Sequence, residues 1–349
     1  MKTNWTTVTG FLPMGFSSHQ ELQILHAFLF MVIYLLALVG NFTIVTITTL
    51  DKRLQSPMYF FLNQLSLLDI SFVSVTVPQS INNSLTGNSY ISYAQCVLQG
   101  FFYMSLAWAE LSNLIVMSYD RYVAICFSLH YDFIMDPRNC KRAVIAVWVT
   151  GGIIGTLYTV ATFSITFRKA KVIHQFFCDI PQLIKLCCSN DYLAVIGVAA
   201  FLSLVALACF ISITFSYIHI FSTVLKIPST EGRCKVFSTC LPNLLVVSFF
   251  LSTGICAYLK PTSDYSTALD LLLSIFYTVI LPTLNPVSYS LRNETMKRAI
   301  QRLILDRKFT EKQMFCGAIN DSPILCTRKF LSEEFLQHVV LLKSNRNSL

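Results

Sequence analysis

The chain alternates long apolar stretches with short polar ones. No Asp, Glu, Lys or Arg occurs in residues 22–50, 70–109, 143–167, 192–225, 236–259 or 271–291. A hydrocarbon core about 30 Å thick, crossed at about 1.5 Å per residue, takes about 20 apolar residues in a helix, so each run is long enough to span a bilayer. Runs 22–50, 143–167, 236–259 and 271–291 each read as one span. The run 192–225 holds neither Pro nor a turn cluster and reads as one long helix over 192–221 that projects past the membrane. The run 70–109 is too long for one span, and Pro78 is followed by Asn82, Asn83, Gly87, Asn88 and Ser89, a turn-rich connection. It divides into a span over 57–80 carrying Asp69 and another over 96–124 carrying Glu110, Asp120 and Arg121. The pattern predicts an all-α membrane protein, a bundle of seven transmembrane helices.

Composition agrees with that class. Of the 349 residues, 54% are hydrophobic and 13% charged, with a mean hydropathy of +0.59; a soluble domain does not have this balance. The net charge of +8 gains meaning from its placement. With the N-terminus outside and the C-terminus inside, Lys52, Arg53, Arg121, Arg138, Lys141, Arg142, Lys226, Arg233, Lys235 and the bases from Arg292 to Lys312 fall on the inner side. Only Lys2, Arg168, Lys169, Lys171, Lys185 and Lys260 fall outside. Basic loops are retained in the cytoplasm, so the excess is a topology signal and implies no nucleic-acid partner. Residues 1–20 lack a basic segment followed by an apolar one, and the first span is expected to direct insertion itself.

Three regions follow. Residues 1–21 form an extracellular segment, where Asn4, Trp5 and Thr6 make a glycosylation sequon; Asn41, Phe42 and Thr43 match it inside a span, where the match carries no meaning. Residues 22–305 hold the bundle and a short amphipathic eighth helix on the membrane, with Met296, Ile300, Leu303 and Ile304 on one face and Lys297, Arg298 and Arg302 on another. Residues 306–349 form a cytoplasmic tail without a span, expected to be disordered.

The chemistry lies in the polar residues at membrane depth: Asn41, Asp69, Glu110, Arg121 and Asn285. An ionisable side chain there costs at least about 2.5 kcal/mol on insertion scales and usually faces the protein interior. Tyr103, Ala107, Glu110, Leu114, Met117 and Arg121 recur at spacings of four and three, a single face of one helix. Leu114 and Met117 fit a packing seam. Glu110 does not, because a buried carboxylate gains nothing there without a partner or a cation. With Asp69 and Asn285, and Asn41 nearby, it makes either an oxygen-rich site for a hard cation or a protonated, hydrogen-bonded cluster; spacing leaves both open. Pro286 removes a backbone donor and bends the last span. A transporter or channel using Asp69 and Glu110 as an ion path is the alternative, although no inverted repeat supports it. No His-Glu-x-x-His or Gly-x-Ser-x-Gly pattern suggests an enzyme.

The segment Met117-Ser118-Tyr119-Asp120-Arg121-Tyr122-Val123-Ala124-Ile125-Cys126 resembles the third-helix motif of vertebrate odorant receptors, a branch of the rhodopsin-like G-protein-coupled receptors. Other segments of that family occur in order: Gly40-Asn41; Pro57-Met58-Tyr59-Phe60-Phe61-Leu62 through Leu65-Ser66-Leu67-Leu68-Asp69; Ser216-Tyr217; Lys235-Val236-Phe237-Ser238-Thr239-Cys240; and Pro282-Thr283-Leu284-Asn285-Pro286-Val287-Ser288-Tyr289. The resemblance covers residues 10–305. It implies a multi-pass plasma-membrane receptor for a small, mostly hydrophobic, uncharged odorant, coupled to a heterotrimeric G protein of the olfactory stimulatory type and embedded in lipid. The implied pocket takes Tyr103, Met104 and Ala107 from the third helix, Phe201 and Val205 from the fifth, Ile255 and Tyr258 from the sixth and Thr278 from the seventh. The implied activation switch is Asp120 restraining Arg121 at rest, with Tyr217, Asn285, Pro286 and Tyr289. Asp69 and Glu110, with Asn41 and Asn285, match a polar centre that accommodates a bound sodium ion; no other cofactor is implied.

Seven of the twelve Cys, at 126, 140, 209, 234, 240, 316 and 326, fall on the cytoplasmic half or tail, where thiols stay reduced. The resemblance pairs Cys96 with Cys178 as the main bridge. The chain departs from the family in four places, one of them a stretch after about residue 305 that runs longer than is typical. Arg168 stands where a second loop bridge usually has its Cys, leaving Cys187 and Cys188 without it. Ser128 replaces a usual Pro, and Asn243 a usual His. A receptor variant that folds or traffics poorly, without signalling, is therefore a further alternative.

Overall fold

The computed structural model describes residues 10–13, 20–86, 90–164, 172–173, 178, 192–226, 244, 246–248, 252, 275–292 and 295–303. Five described helices are long and apolar enough to cross a membrane: α1 (Gln20–Leu50), α2 (Pro57–Thr86), α3 (Tyr93–Cys126), α4 (Pro137–Phe163) and α5 (Tyr192–Leu225). Of the sixth expected span, residues 244, 246–248 and 252 are helical and the rest lies outside the described residues. The seventh enters through a π-helical turn, Phe276–Ile280, and continues as α6 (Leu281–Arg292).

The helix starts have local causes. Ser92 and Gln95 form a reciprocal capping box ahead of α3, each side chain meeting the other residue's backbone N–H. Asp136 caps α4 by accepting from the Arg138 N–H, with Pro137 at the first helical position, where a missing N–H costs nothing.

One boundary differs from the expectation. The connection expected from Asn82 onward is helical to Thr86, and Pro78 sits inside α2. Gln79 donates to the Asn83 side chain at 2.9 Å and Thr86 to the Asn82 carbonyl at 2.8 Å. These bonds let polar side chains continue the helix where their composition suggested a turn.

α3 is central, packing on α2, α4 and α5, while α1 packs on α2 and α6. The α3–α4 seam is closed by small residues. A Cβ added to Gly151 would meet the Ser105 carbonyl at 2.5 Å and the Ala109 methyl at 3.1 Å, and one on Gly155 would collide with the Ser105 side chain. Gly40 on α1 likewise leaves room for the Pro286 ring on α6. Large apolar side chains such as Phe28, Leu36, Val160, Leu204, Ile211 and Phe215 are exposed, as expected of a surface that faces lipid.

On the outer side lies a small three-stranded sheet absent from the hydrophobic pattern. Its central strand β1 (Gly10–Pro13) pairs antiparallel with β2 (Ile91–Ser92) and parallel with β3 (Val172–Ile173). The first residues of the chain's described part thus join the loops on either side of α3 and α4. The chain divides into two compact units, Met1–Met296 and Lys297–Leu349. In the second, the described residues 297–303 are helical, with Arg298, Gln301 and Arg302 exposed.

Candidate functional site

Three groups of residues stack along α3. Midway, Asp69 on α2 is fully buried and accepts from the Asn285 amide nitrogen at 3.0 and 3.2 Å. Glu110 on α3 is buried as well and close enough to Asp69 for the carboxylates to act on each other. Asn41 on α1 donates to the Ala37 carbonyl at 3.0 Å and the Pro282 carbonyl at 2.9 Å, pinning α1 to α6 beside the two prolines. Asn113, one turn below Glu110, donates to the Phe61 carbonyl on α2 at 3.1 Å. Sequence reasoning passed over Asn113, although an Asn at membrane depth is itself a signal. Glu110 Oε1, Asn285 Oδ1, Asn41 Oδ1 and Asn113 Oδ1 are buried without a hydrogen-bond partner. Among the described residues neither Asp69 nor Glu110 forms an ion pair, and no group of three His, Cys, Asp or Glu gathers as a transition-metal site would require.

Toward the cytoplasm, Asp120 is buried and its Oδ1 accepts the Tyr131 hydroxyl at 2.8 Å. Tyr131 opens a short helical turn, Tyr131–Ile134, beyond α3. Burial, with the Asp120 charge and the bond to it, pushes the Tyr131 phenol above the ordinary tyrosine range, so it stays a neutral donor. Arg121 acts electrostatically on the Asp120 carboxylate beside it, while the hydrogen bond to Asp120 comes from Tyr131 and, among the described residues, no ion pair within 4.0 Å links Asp120 to Arg121. Tyr217 on α5 is buried and Tyr289 on α6 half-buried, with Arg121 electrostatically linked to Tyr289. Cys126 and Thr223 meet at 3.6 Å where α3 and α5 approach the same side.

In the outer half, Tyr103 and Met104 are buried in one apolar cluster with Phe72, Leu202 and Val279; Ala107, Val198 and Ile275 pack against it. The Tyr103 and Phe72 rings lie 5.2 Å apart, tilted by 41°. Thr278 is buried and Val205 half-buried. Phe201 does not join them: it is 59% exposed, whereas the next residue, Leu202, is 5% exposed and enters the cluster. Ile255 and Tyr258 lie outside the described residues.

Cys96 at the start of α3 forms a disulfide with Cys178, both buried. Gln99, one turn along α3, accepts from the Cys178 N–H at 3.0 Å and donates to the Val75 carbonyl of α2 at 3.0 Å. Asn4, Arg168, Cys187, Cys188 and Asn243 lie outside the described residues.

The chain is similar to known proteins in sequence and in fold. A family model described as olfactory receptor matches residues 30–307. Human olfactory receptor 14J1 is 58% identical over 90% of this chain and 98% of its own length, and human olfactory receptor 14A16 is 50% identical over 88% and 99%. Squid rhodopsin superposes with a TM-score of 0.63 over 82% of this chain and 81% of its own, at 16% identity, which speaks for the fold alone. No observation among the described residues favours a transporter or channel. A seven-helix membrane bundle with buried polar residues along its central helix, matched over nearly its whole span by one family, belongs to that family: the chain is an olfactory receptor, a multi-pass receptor of the plasma membrane and not an enzyme.

Proposed function

We propose that the chain binds a small, mostly hydrophobic, uncharged odorant in the outer half of the bundle and passes the signal to a stimulatory heterotrimeric G protein, raising cyclic AMP. The observation that carries the ligand class is the apolar cluster around Tyr103, Met104, Leu202 and Val279, whose members among the described residues are aliphatic and aromatic side chains. A charged ligand entering it would lose its hydration without an opposite charge to meet, whereas an apolar one gains by burial. Thr278 and the Tyr103 hydroxyl supply polar groups beside this cluster. Binding shifts the packing of α3 against α5, and Arg121 at the inner end of α3 is the group that responds. Membrane lipid covers the exposed apolar faces.

The polar centre also fits a sodium ion. Asp69 and Glu110 supply carboxylate oxygens, and the partnerless oxygens of Glu110, Asn285 and Asn41 are the hard donors such a cation accepts. Bound there, the ion would offset one carboxylate charge of the buried Asp69–Glu110 pair and favour the resting packing of the helices that carry them.

The ligand class is tested by dose–response curves for matched pairs of odorants, an alcohol or ester beside the carboxylate of the same carbon skeleton, with cyclic AMP as readout. Responses confined to the uncharged members are expected. A receptor that answers only to carboxylates contradicts the reading.

A further inference from the structure

We propose that His219 and Thr223 of α5 are positioning residues for signalling: they hold the inner end of α5 against α3 beside Arg121, and this contact loosens when an odorant raises cyclic AMP. The inference rests on the reading above, in which binding shifts the packing of α3 against α5, and it names the contact on which that shift acts.

With the N-terminus outside, α3 and α5 both run from the outer to the inner side, so their residue numbers rise together toward the cytoplasm. The rings of Tyr122 and His219 meet with centroids 6.2 Å apart and planes at 66°, and Cys126 Sγ lies 3.6 Å from Thr223 Oγ1. Tyr122 and Cys126 are four positions apart on α3, as His219 and Thr223 are on α5. Side chains at that spacing are neighbours on one helix face, so the two contacts are consecutive rungs of one seam in parallel register. Phe215, a turn further out on α5, sets its ring 4.5 Å from that of His219 at 71°. On the other side Phe127, which caps α3, meets Tyr122 at 5.5 Å and 69°. Edge-on ring contacts thus run without a break from α5 to the end of α3.

The seam is built to open at little cost. Phe215 and His219 are exposed, and Tyr122, Cys126 and Thr223 are half-buried, so separating them uncovers little apolar surface and leaves no fully buried polar group without a bond. Edge-to-face ring pairs and a thiol–hydroxyl contact are individually weak, within reach of the differential affinity of a small ligand. The place of the seam gives the consequence. Tyr122 directly follows Arg121, and Phe127 leads into the turn whose Tyr131 donates to Asp120 at 2.8 Å. A movement of α5 therefore reaches the Asp120–Arg121 pair through both of its neighbours.

The test makes the seam covalent. Thr223→Cys sets a second thiol opposite Cys126, and copper phenanthroline, by taking two electrons and two protons from the pair, joins them; mass spectrometry of the linked peptides confirms the bridge. Odorant-stimulated cyclic AMP per receptor is then measured in membranes that retain the cells' own G protein and cyclase, before oxidation, after it and after reduction, each relative to wild type treated alike. Oxidised Thr223→Cys is expected to lose about tenfold or more of its response and to regain it on reduction. Cys126→Ser combined with Thr223→Cys is expected to respond equally with and without oxidant. A bridged receptor that still responds, one that signals without odorant, or a bridge that does not form overturns the proposal. His219→Leu, which removes the ring, is a second and reagent-free measurement: basal cyclic AMP normalised to surface staining is expected to rise about threefold to tenfold, the worth of one aromatic pair. His219→Phe keeps a ring there and is expected to raise it by less than about twofold. An unchanged basal level in His219→Leu, or an equal rise in both variants, overturns the proposal. A wild type silent to every odorant counts against the odorant reading, whereas a responsive wild type with an indifferent bridge counts against the seam alone.

Discussion

Asn285 holds both carboxylate oxygens of Asp69 with one amide nitrogen, at 3.0 Å to Oδ2 and 3.2 Å to Oδ1, and so ties α6 to α2 at mid-membrane across 216 positions of sequence. On the Asp69 side the neighbouring ionisable group is Glu110; on the Asn285 side the next residue is Pro286, whose ring lies against Gly40 of α1. Four helices thus meet around one buried polar contact, and replacing either partner tests how much the bundle depends on it.

Asn285→Ala leaves the buried Asp69 oxygens without this donor, a loss of about 1–3 kcal/mol for an unsatisfied buried polar group. A lower thermal inactivation temperature of the solubilised receptor is expected. If sodium occupies the polar centre, as proposed, replacing NaCl by choline chloride raises odorant potency in wild type, and Asp69→Asn or Glu110→Gln abolishes the difference. Wild-type curves that coincide in the two salts exclude a functional sodium site.

Tyr131→Phe removes the hydroxyl that Asp120 accepts at 2.8 Å. The freed carboxylate then turns to the adjacent Arg121 and restrains it. A weaker odorant-stimulated cyclic AMP response at unchanged surface level is expected, by up to about tenfold for one charge-assisted hydrogen bond. Because the folded state raises the Tyr131 pKa, the contribution of its neutral form is complete below the ordinary tyrosine value and is lost only as pH rises through the higher folded value. Wild type and Tyr131→Phe should therefore keep a constant ratio from neutral to mildly alkaline pH.

The helices α1 to α5 were legible because charge-free runs of span length leave few alternatives, and the order of the polar residues Asp69, Glu110, Asp120 and Arg121 followed from it. The phase of α5 was not. Its segment is apolar all round, so nothing in the pattern separates Phe201, which faces outward, from Leu202, which enters the cluster. The outer sheet was also invisible, since strands of two to four residues show no alternation to read. The partner of Asp120 lay beyond the spans, on a turn whose position only the folded chain fixes. Gln99 carried a signal that went unused: a polar side chain just inside a span, one turn from a bridging Cys.

Substitutions around the outer apolar cluster follow the observed burial. Tyr103→Ala deletes a ring that lies tilted against Phe72 and is expected to lower odorant potency by about tenfold or more, while Phe201→Ala changes potency little because that side chain is exposed. A larger effect at Phe201 than at Tyr103 in surface-normalised curves contradicts this assignment.

The α3–α4 seam makes a graded prediction. Gly155→Val forces a side chain into Ser105, with an overpacking cost of about 1–3 kcal/mol, and is expected to reduce surface staining strongly. Gly152→Val is the control, since an added Cβ there meets no atom within 4 Å. Equal staining of the two variants removes the seam from the account.

The central claim is that an odorant acts through Arg121 to raise cyclic AMP. Its most direct test is the surface-normalised cyclic AMP response of wild type and Arg121→Ala to one panel of uncharged odorants. The account predicts a dose-dependent rise in wild type and none in Arg121→Ala at equal surface staining. A response retained in Arg121→Ala at wild-type potency contradicts it.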